Sequence, residues 1–403
     1  MTQKENILLF EPDSDGHHPG YLYHLVINFL KHEYDYDLVI LVAPDFSEKH
    51  TNIIEKTISE KVIWLSFSEI EFKQWKLIKS KSVIKRAFFE WSLLRKYIIE
   101  TKAVYTLLMY FDYLQIPLLV QKPLPCPISG ILFRPTLVNY PFNSIKERLN
   151  TWRKNLILRL CVKKVQLYSL FSLDSFATEY IEQNWHTKKV KFLPDPIQIY
   201  PTTKSAFELK QSFDIDENRK VFLIFGFLDS RKGITEIIEA IAKIPNEIAQ
   251  KGTLLIVGPW EKDEHNEFDN KVSKIRGMSD FQIIVKEGFV HDEDIQQYFE
   301  VTDFVFALYS KHIGMSANMV RAAAANKPLI TYNFGLMGKL VVENQLGIII
   351  ENDLVEKIEV LLTQNNDIGD KEKMNEFASI NNAKNYANVI LKHLSDFASS
   401  YSK

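Results

Sequence analysis

Residues Gly314–Pro328 read GMSANMVRAAAANKP, and this stretch decides how the chain folds. Gly314 and Ser316 open an alanine-rich helix directly after an apolar run, Asp303–Tyr309, that reads as a strand. The free N–H groups at the start of a helix, with the positive end of its dipole, make an anion site. Alanines let such a helix approach its neighbours closely. Without an anion, the same segment is an ordinary capped helix packed under a sheet.

Strand and helix alternate on both sides of this stretch. In the second half, strands are expected at Val221–Gly226, Thr253–Gly258, Gln282–Glu287, Asp303–Tyr309, Pro328–Tyr332 and Gly347–Ile350. In the first half they are expected at Asn6–Glu11, Leu38–Ala43, Val62–Ser66, Val104–Tyr110, Ile128–Phe133, Val165–Leu170 and Val190–Leu193. Most are continuous apolar runs, as in parallel strands buried on both faces, and the segments between them have helical length and spacing. The pattern predicts an α/β protein of two doubly wound parallel-sheet domains facing a central cleft. Pro194-Asp195-Pro196 interrupts regular structure, and the polar stretch that follows, to Lys220, reads as the connection between domains. The expected division is 1–197 for a first domain, 198–380 for a second and 381–403 for a terminal helix able to cross back to the first.

Composition narrows the function classes. Of the 403 residues, 46% are hydrophobic and 25% charged, which excludes a disordered or fibrous chain. The two cysteines, Cys126 and Cys161, cannot build a disulfide framework and favour a reducing compartment. No apolar run reaches the roughly 18 residues of a spanning helix. The run near the amino end is too short for a signal-peptide core. A cytoplasmic protein is expected.

Net charge is −2, yet residues 73–164 hold 18 Lys and Arg against four Asp and Glu, a net of +14. Two helix-patterned segments carry most of that excess. One has Leu77, Ile84, Phe88, Trp91 and Leu94 among its lysines; the other has Ile145, Leu149, Trp152, Leu156 and Leu160 among Lys146, Arg148, Arg153, Lys154 and Arg159. A basic amphipathic helix can lie on an anionic membrane surface, each cation contributing roughly 1 kcal/mol. Peripheral attachment to the inner face of a membrane is the expectation; the alternative is two core-facing helices with solvated outer faces. Nucleic acid is not an expected partner, because no reader motif accompanies the charge and the whole chain is slightly acidic.

Several features of the second half fall at strand ends, where this architecture takes ligands. Gly226-Phe227-Leu228-Asp229-Ser230-Arg231-Lys232-Gly233 follows a strand and opens a helix. There Arg231 would meet a diphosphate as a bidentate donor and Lys232 as a point charge. The bland alternative is a βα loop with two solvated cations. Gly258, before Pro259, permits close backbone approach. Gly288-Phe289-Val290 offers backbone groups to a nucleobase, with Asp292 as a helix cap. Gly314, Met315, Ser316 and Ala317 form the anion-binding helix start.

Taken as a set, Gly226…Lys232-Gly233, Ile256-Val257-Gly258, Gly288-Phe289-Val290, Asp303, Gly314…Ala322…Lys327-Pro328 and Gly335…Met337-Gly338…Glu343…Leu346-Gly347 resemble the donor-binding domain of the family-four (group 1) glycosyltransferases. That family has the two-domain GT-B fold. The glycine loop after the first strand and Leu193-Pro194-Asp195-Pro196 resemble its acceptor domain and domain junction less strictly. The resemblance implies transfer of a hexosyl group from a nucleotide diphosphate sugar to a glycan, lipid-linked or other glycoconjugate acceptor in polysaccharide or glycolipid assembly. It further implies retention at the anomeric carbon, no metal and no cofactor. Lys232 with Arg231 would neutralise the leaving diphosphate, and the helix opening at Ser316 would stabilise the same charge as it develops.

The chain departs from the family pattern in three places. Two glutamates with seven residues between them are usual, and Ile313 and Arg321 occupy their positions here. The second glutamate normally binds the ribose hydroxyls, so Glu343 becomes the candidate replacement and Arg321 would grip a phosphate or pair with an acid. Phe227 stands where an arginine is usual. These departures keep open an alternative, a catalytically inactive GT-B binding or scaffold subunit.

In the first half, the loop Glu11-Pro12-Asp13-Ser14-Asp15-Gly16-His17-His18-Pro19-Gly20 ends the first strand. Gly16 loosens it for a donor, His17 would donate to the diphosphate or shuttle a proton, and His18 would face the acceptor. Adjacent histidines on a loop seldom ligate one ion, so no metal is expected. Asp112 would accept the acceptor hydroxyl's proton, and Arg134 would bind an anionic group on the acceptor. No Gly-x-Ser-x-Gly elbow and no Gly-x-Gly-x-x-Gly fingerprint are present, which argues against a hydrolase and a dehydrogenase.

Overall fold

The computed structural model describes residues 4–16, 18–136, 144–261, 268, 272–273, 276–310, 312–364 and 367–401. The chain divides into two compact units, Met1–Pro196 with Ala383–Lys403, and Ile197–Asn382.

Unit 1 contains β1 (Glu5–Glu11), β2 (Tyr36–Val42), β3 (Val62–Ser66), β4 (Tyr105–Leu108), β5 (Ile128–Leu132), β6 (Leu167–Ser172) and β7 (Val190–Phe192). They form one sheet in the order β3-β2-β1-β4-β5-β6-β7, with parallel pairing throughout. Unit 2 contains β8 (Lys220–Phe225), β9 (Gly252–Gly258), β10 (Gln282–Glu287), β11 (Phe304–Ala307), β12 (Leu329–Tyr332) and β13 (Gly347–Ile350). Their order is β10-β9-β8-β11-β12-β13, again parallel. In both sheets the strand order reverses beside the first strand of the unit, between β1 and β4 and between β8 and β11. A crevice opens at such a switch point at the carboxyl ends of the strands.

All thirteen expected runs form strands, with ends displaced by two residues at most. The run at Val165 begins pairing only at Leu167, because Val165 is 92% exposed in the turn after a helix while Leu170 and Phe171 fill the core. The polar stretch after Pro196 is not merely a connection. Ser205 and Glu208 form a capping box that starts the helix Ala206–Ser212, and Phe213 stacks on Tyr298 at 5.1 Å, so this segment belongs to unit 2.

The helix Ala383–Tyr401 returns to unit 1. Tyr386, Ile390, Leu394 and Phe397 are buried there with Leu22, Leu25 and Val26 of the helix His18–Phe29. Tyr21 holds both ends of the excursion: its hydroxyl donates to Asp195 at 2.5 Å and its ring lies 5.3 Å from that of Tyr386.

Gly258 shows how tightly the site end of unit 2 is drawn together. Its φ is +142°, and a Cβ there would stand 2.2 Å from Gly226 O. Gly258→Ala is therefore expected to cost about 2–3 kcal/mol, the sum of backbone strain and overpacking. Scanning calorimetry checks this; a change below about 0.5 kcal/mol, the size of an ordinary surface substitution, contradicts it.

Candidate functional site

The carboxyl ends of β8 and β11, on either side of the switch point in unit 2, carry the cations and the helix singled out in the sequence. After β8 the chain turns through Gly226, at φ +97°, into a short turn of 3-10 helix, Ser230–Lys232. Asp229 caps that turn, accepting from the Arg231 N–H at 3.1 Å and from its guanidinium Nε at 2.9 Å. Gly233 closes the turn at φ +67°, with Leu308 O 2.8 Å from where a Cβ would be. Ser310 N–H donates to Arg231 O at 2.8 Å, so the loops after β8 and β11 are stitched together.

The two cations consequently part. Arg231 is spent on Asp229, with its side chain 71% exposed. Lys232 turns in over the end of the sheet, where its Nζ donates to Phe225 O and, at 3.4 Å, to Tyr309 Oη. The ammonium lies 4.9 Å from the centre of the Tyr309 ring. Asn318, in the first turn of the helix Ala317–Ala324, reaches the same two oxygens. Its Nδ2 donates to Phe225 O at 3.0 Å and to Tyr309 Oη at 2.8 Å. Lys232 and the amino end of this helix are thus fixed on one carbonyl and one phenol. Among the described residues no carboxylate pairs with Lys232. A lysine without an acid beside a helix amino terminus is chemistry for a bound anion.

Ser316 Oγ caps the helix by accepting from Asn318 N–H at 3.4 Å. Gly314 and Met315 lie in the approach to it, and Met315 O is 3.2 Å from His312 Nε2. Ala317 is exposed at the first helical position, while Arg321 is buried in the body of the helix, its carbonyl accepting from Gln296 Nε2 at 3.2 Å. Leu336 N–H donates to Ile313 O at 3.1 Å, which binds this loop to the start of the helix Gly335–Glu343. Glu343 is exposed at the far end of that helix. Phe289 is exposed and Val290 half-buried after β10, two strands and about 10 Å across the sheet from β8.

In unit 1, the loop after β1 is held by a buried ionic network. His18 Nδ1 is paired with Glu11 Oε2 at 2.7 Å; burial opposes the imidazolium, but Glu11 and Asp13 outweigh it and hold its pKa above the ordinary value. Asp13 accepts from Lys79 Nζ at 2.8 Å and from Arg86 Nη2 at 3.2 Å. Burial works against the Asp13 carboxylate too, and these cations pull its pKa below the ordinary value. Arg86 Nε also donates to Glu90 at 2.6 Å, and Trp75 Nε1 donates to the same oxygen at 2.8 Å. The guanidinium lies over the rings of Trp75 and Tyr113, at 5.2 and 4.7 Å. It therefore joins the loop after β1 to the loop after β4.

Asp112 completes the connection to β5. Its two oxygens accept from the N–H groups of Phe133 and Arg134, both at 2.9 Å, and burial, working against those bonds, pushes its pKa up to about 6. The Arg134 side chain is exposed, and Gly16 takes φ +68° with open space around it. His17 lies outside the described residues.

Tyr309, Asn318, Asp229, Arg86 and Glu90 belong to these arrangements and were not singled out in the sequence. Asn318 carries a usable signal, an amide in the first turn of a helix that is apolar apart from it and Arg321. Among the described residues, no three His, Cys, Asp or Glu side chains are grouped to hold a metal, and no helix is long and apolar enough to cross a membrane.

Residues 205–384 match the model of the family described as glycosyl transferases group 1. The trehalose synthase of Thermococcus litoralis is 23% identical over 302 residues, covering 71% of this chain and 68% of that protein. Among solved structures, HepE of Anabaena in complex with UDP superposes with a TM-score of 0.65 at 14% identity, covering 97% of this chain and all of that one. The complex of HepE with UDP-glucose gives 0.61 at 16% identity, covering 98% of this chain and 99% of that one.

Proposed function

We propose that this chain of GT-B fold, whose residues 205–384 match the group 1 glycosyl transferase model, moves a hexosyl group from a nucleoside diphosphate sugar to a glycan or lipid-linked acceptor. The observation that carries this reading is the convergence of Lys232 Nζ and Asn318 Nδ2 on Phe225 O and Tyr309 Oη. Lys232 meets the diphosphate as a point charge, and the helix Ala317–Ala324 meets it with first-turn N–H groups and its dipole. Both act on charge that grows as the bond from sugar to phosphate breaks, and neither needs to reorganise as it does so. With the charge met by protein groups, transfer proceeds without a metal, and the product keeps the donor's anomeric configuration.

Gly314, Met315, Ser316 and Ala317 line the diphosphate, and Gly258 lets the backbone close on it. Phe289 and Val290 offer backbone groups to the base. Arg231 meets a phosphate as an exposed guanidinium that Asp229 orients through Nε and Nη2. HepE's complexes with UDP and UDP-glucose support a uridine nucleotide. On unit 1, His17 and His18 serve the transferred sugar and acceptor, with the imidazolium of His18 favoured by Glu11 and so suited to donate. Asp112 acts by fixing the loop from which Arg134 binds the acceptor. An anionic membrane touched through residues 73–164 presents a lipid-linked acceptor. The trehalose synthase relative favours a second reading, a free sugar as acceptor.

A thermal-shift panel of UDP, ADP, GDP and their hexose conjugates tests the donor. The right nucleotide at 100 times its dissociation constant stabilises the protein by about 2.7 kcal/mol, with or without chelator. No shift with any of them sinks the proposal. Donor consumption on addition of glucose, set against a polyprenyl-phosphate-linked sugar, separates the two acceptor classes.

A further inference from the structure

We propose that the helix Ile145–Val162 lies flat on an anionic lipid surface and is the element through which unit 1 docks there. This rests on the membrane-presented acceptor above and names the part of the chain that makes contact. The helix has two apolar faces. Leu158, Cys161 and Val162 are buried in unit 1. Ile145, Leu149, Trp152, Leu156 and Leu160 are exposed, the first three at 85, 65 and 63%. At about 100° per residue, these five fall within about 80° of one another, on the side opposite the buried three.

Cations border that stripe on both edges. Lys146 and Arg153 flank one side, Arg148 and Arg159 the other, and Lys163 follows in line just past the helix. Glu147, the helix's one acid, falls on the far side, about 180° from the stripe. Among the described residues none of the flanking cations is in an ion pair. The other basic segment of unit 1 is built differently. Its Trp75, Trp91 and Leu94 are core, and its Lys79, Arg86 and Lys96 are paired with Asp13, Glu90 and Glu71.

Charge complementarity selects the occupant. Two copies of the chain meeting along this stripe would set cations against cations on both edges. Anionic headgroups match both edges at once, while Trp152 and the aliphatic side chains enter the boundary with the acyl chains. Among the described residues no helix is long and apolar enough to cross a bilayer.

The test uses the full chain with vesicles of phosphatidylcholine, with and without phosphatidylglycerol. The protein is expected to co-sediment only with the anionic vesicles, and less as salt rises. L149E/W152E and R148E/R153E are each expected to weaken binding by roughly tenfold or more, with the UDP thermal shift unchanged. Wild type that ignores phosphatidylglycerol, or variants that sediment as wild type does, overturns the inference and leaves the transferase reading intact. A solution dimer that L149E/W152E splits also overturns it. Loss of the nucleotide shift in wild type counts against the transferase alone, since the vesicle result does not depend on it.

Discussion

Replacing Lys232 by alanine lowers catalytic efficiency by about 10²–10³-fold, the effect of removing one preorganised partner from a developing negative charge. The expectation follows from how little else the side chain does. Its Nζ bonds Phe225 O and Tyr309 Oη, and Asn318 bonds both without it. No buried acid is left behind, so the folded state survives the change within about 1 kcal/mol. Steady-state hydrolysis and transfer of the donor measure the loss, and calorimetry confirms the fold. A decrease of less than about fivefold would place the leaving phosphate elsewhere and refute the assignment of Lys232.

Arg86→Met is the matching experiment on stability, with an expected loss of about 3–5 kcal/mol, the cost of stranding a buried charge. Glu90 is nearly inaccessible and, among the described residues, keeps Trp75 Nε1 alone as a donor once Arg86 is gone, whereas Asp13 retains Lys79. Burial already holds the Glu90 carboxyl above its ordinary 4.5, with Arg86 and Trp75 pulling the other way, and removing Arg86 lets it rise further. A carboxyl raised in the folded protein supports folding below its unfolded value and loses that support as pH climbs through the folded one. The variant is thus expected to be less stable at pH 8 than at pH 5, relative to wild type, and Glu90→Gln in the same chain should restore part of the loss. Equal destabilisation at both pH values would show that packing, not charge, is what Arg86 supplies. Activity should suffer as well, because the same guanidinium joins the loops after β1 and β4.

Much of this architecture is legible in the sequence because buried parallel strands write themselves as unbroken apolar runs. ILLFE and TLLIVG admit few other readings. What such runs do not carry is which strands are neighbours, so the switch points between β1 and β4 and between β8 and β11 emerge only from the folded sheets. The site divides in the same way. Lys232 and the helix at Ser316 were visible because glycines and strand ends mark them locally. Tyr309 and Asn318 were not, since Lys232 lies 77 positions from the first and Phe225 93 from the second. The separation of Arg231 from Lys232 hangs on Asp229, two residues off, which reads in sequence as any loop acid. In the helix Ile145–Val162, periodicity revealed the apolar stripe, while which of the two faces meets the core depended on where β6 and its neighbours fall.

The return of the helix Ala383–Tyr401 bears on the order in which a newborn chain matures. A polypeptide leaves the ribosome from its amino end, and domains usually fold as they emerge. Unit 2 has all of its residues once Asn382 is made, yet unit 1, begun earlier, still lacks Tyr386, Ile390, Leu394 and Phe397 from its core. Until those side chains arrive, Leu22, Leu25 and Val26 wait uncovered. The part of the molecule synthesised first is the last to be finished, and during that interval it is the one a chaperone has reason to hold.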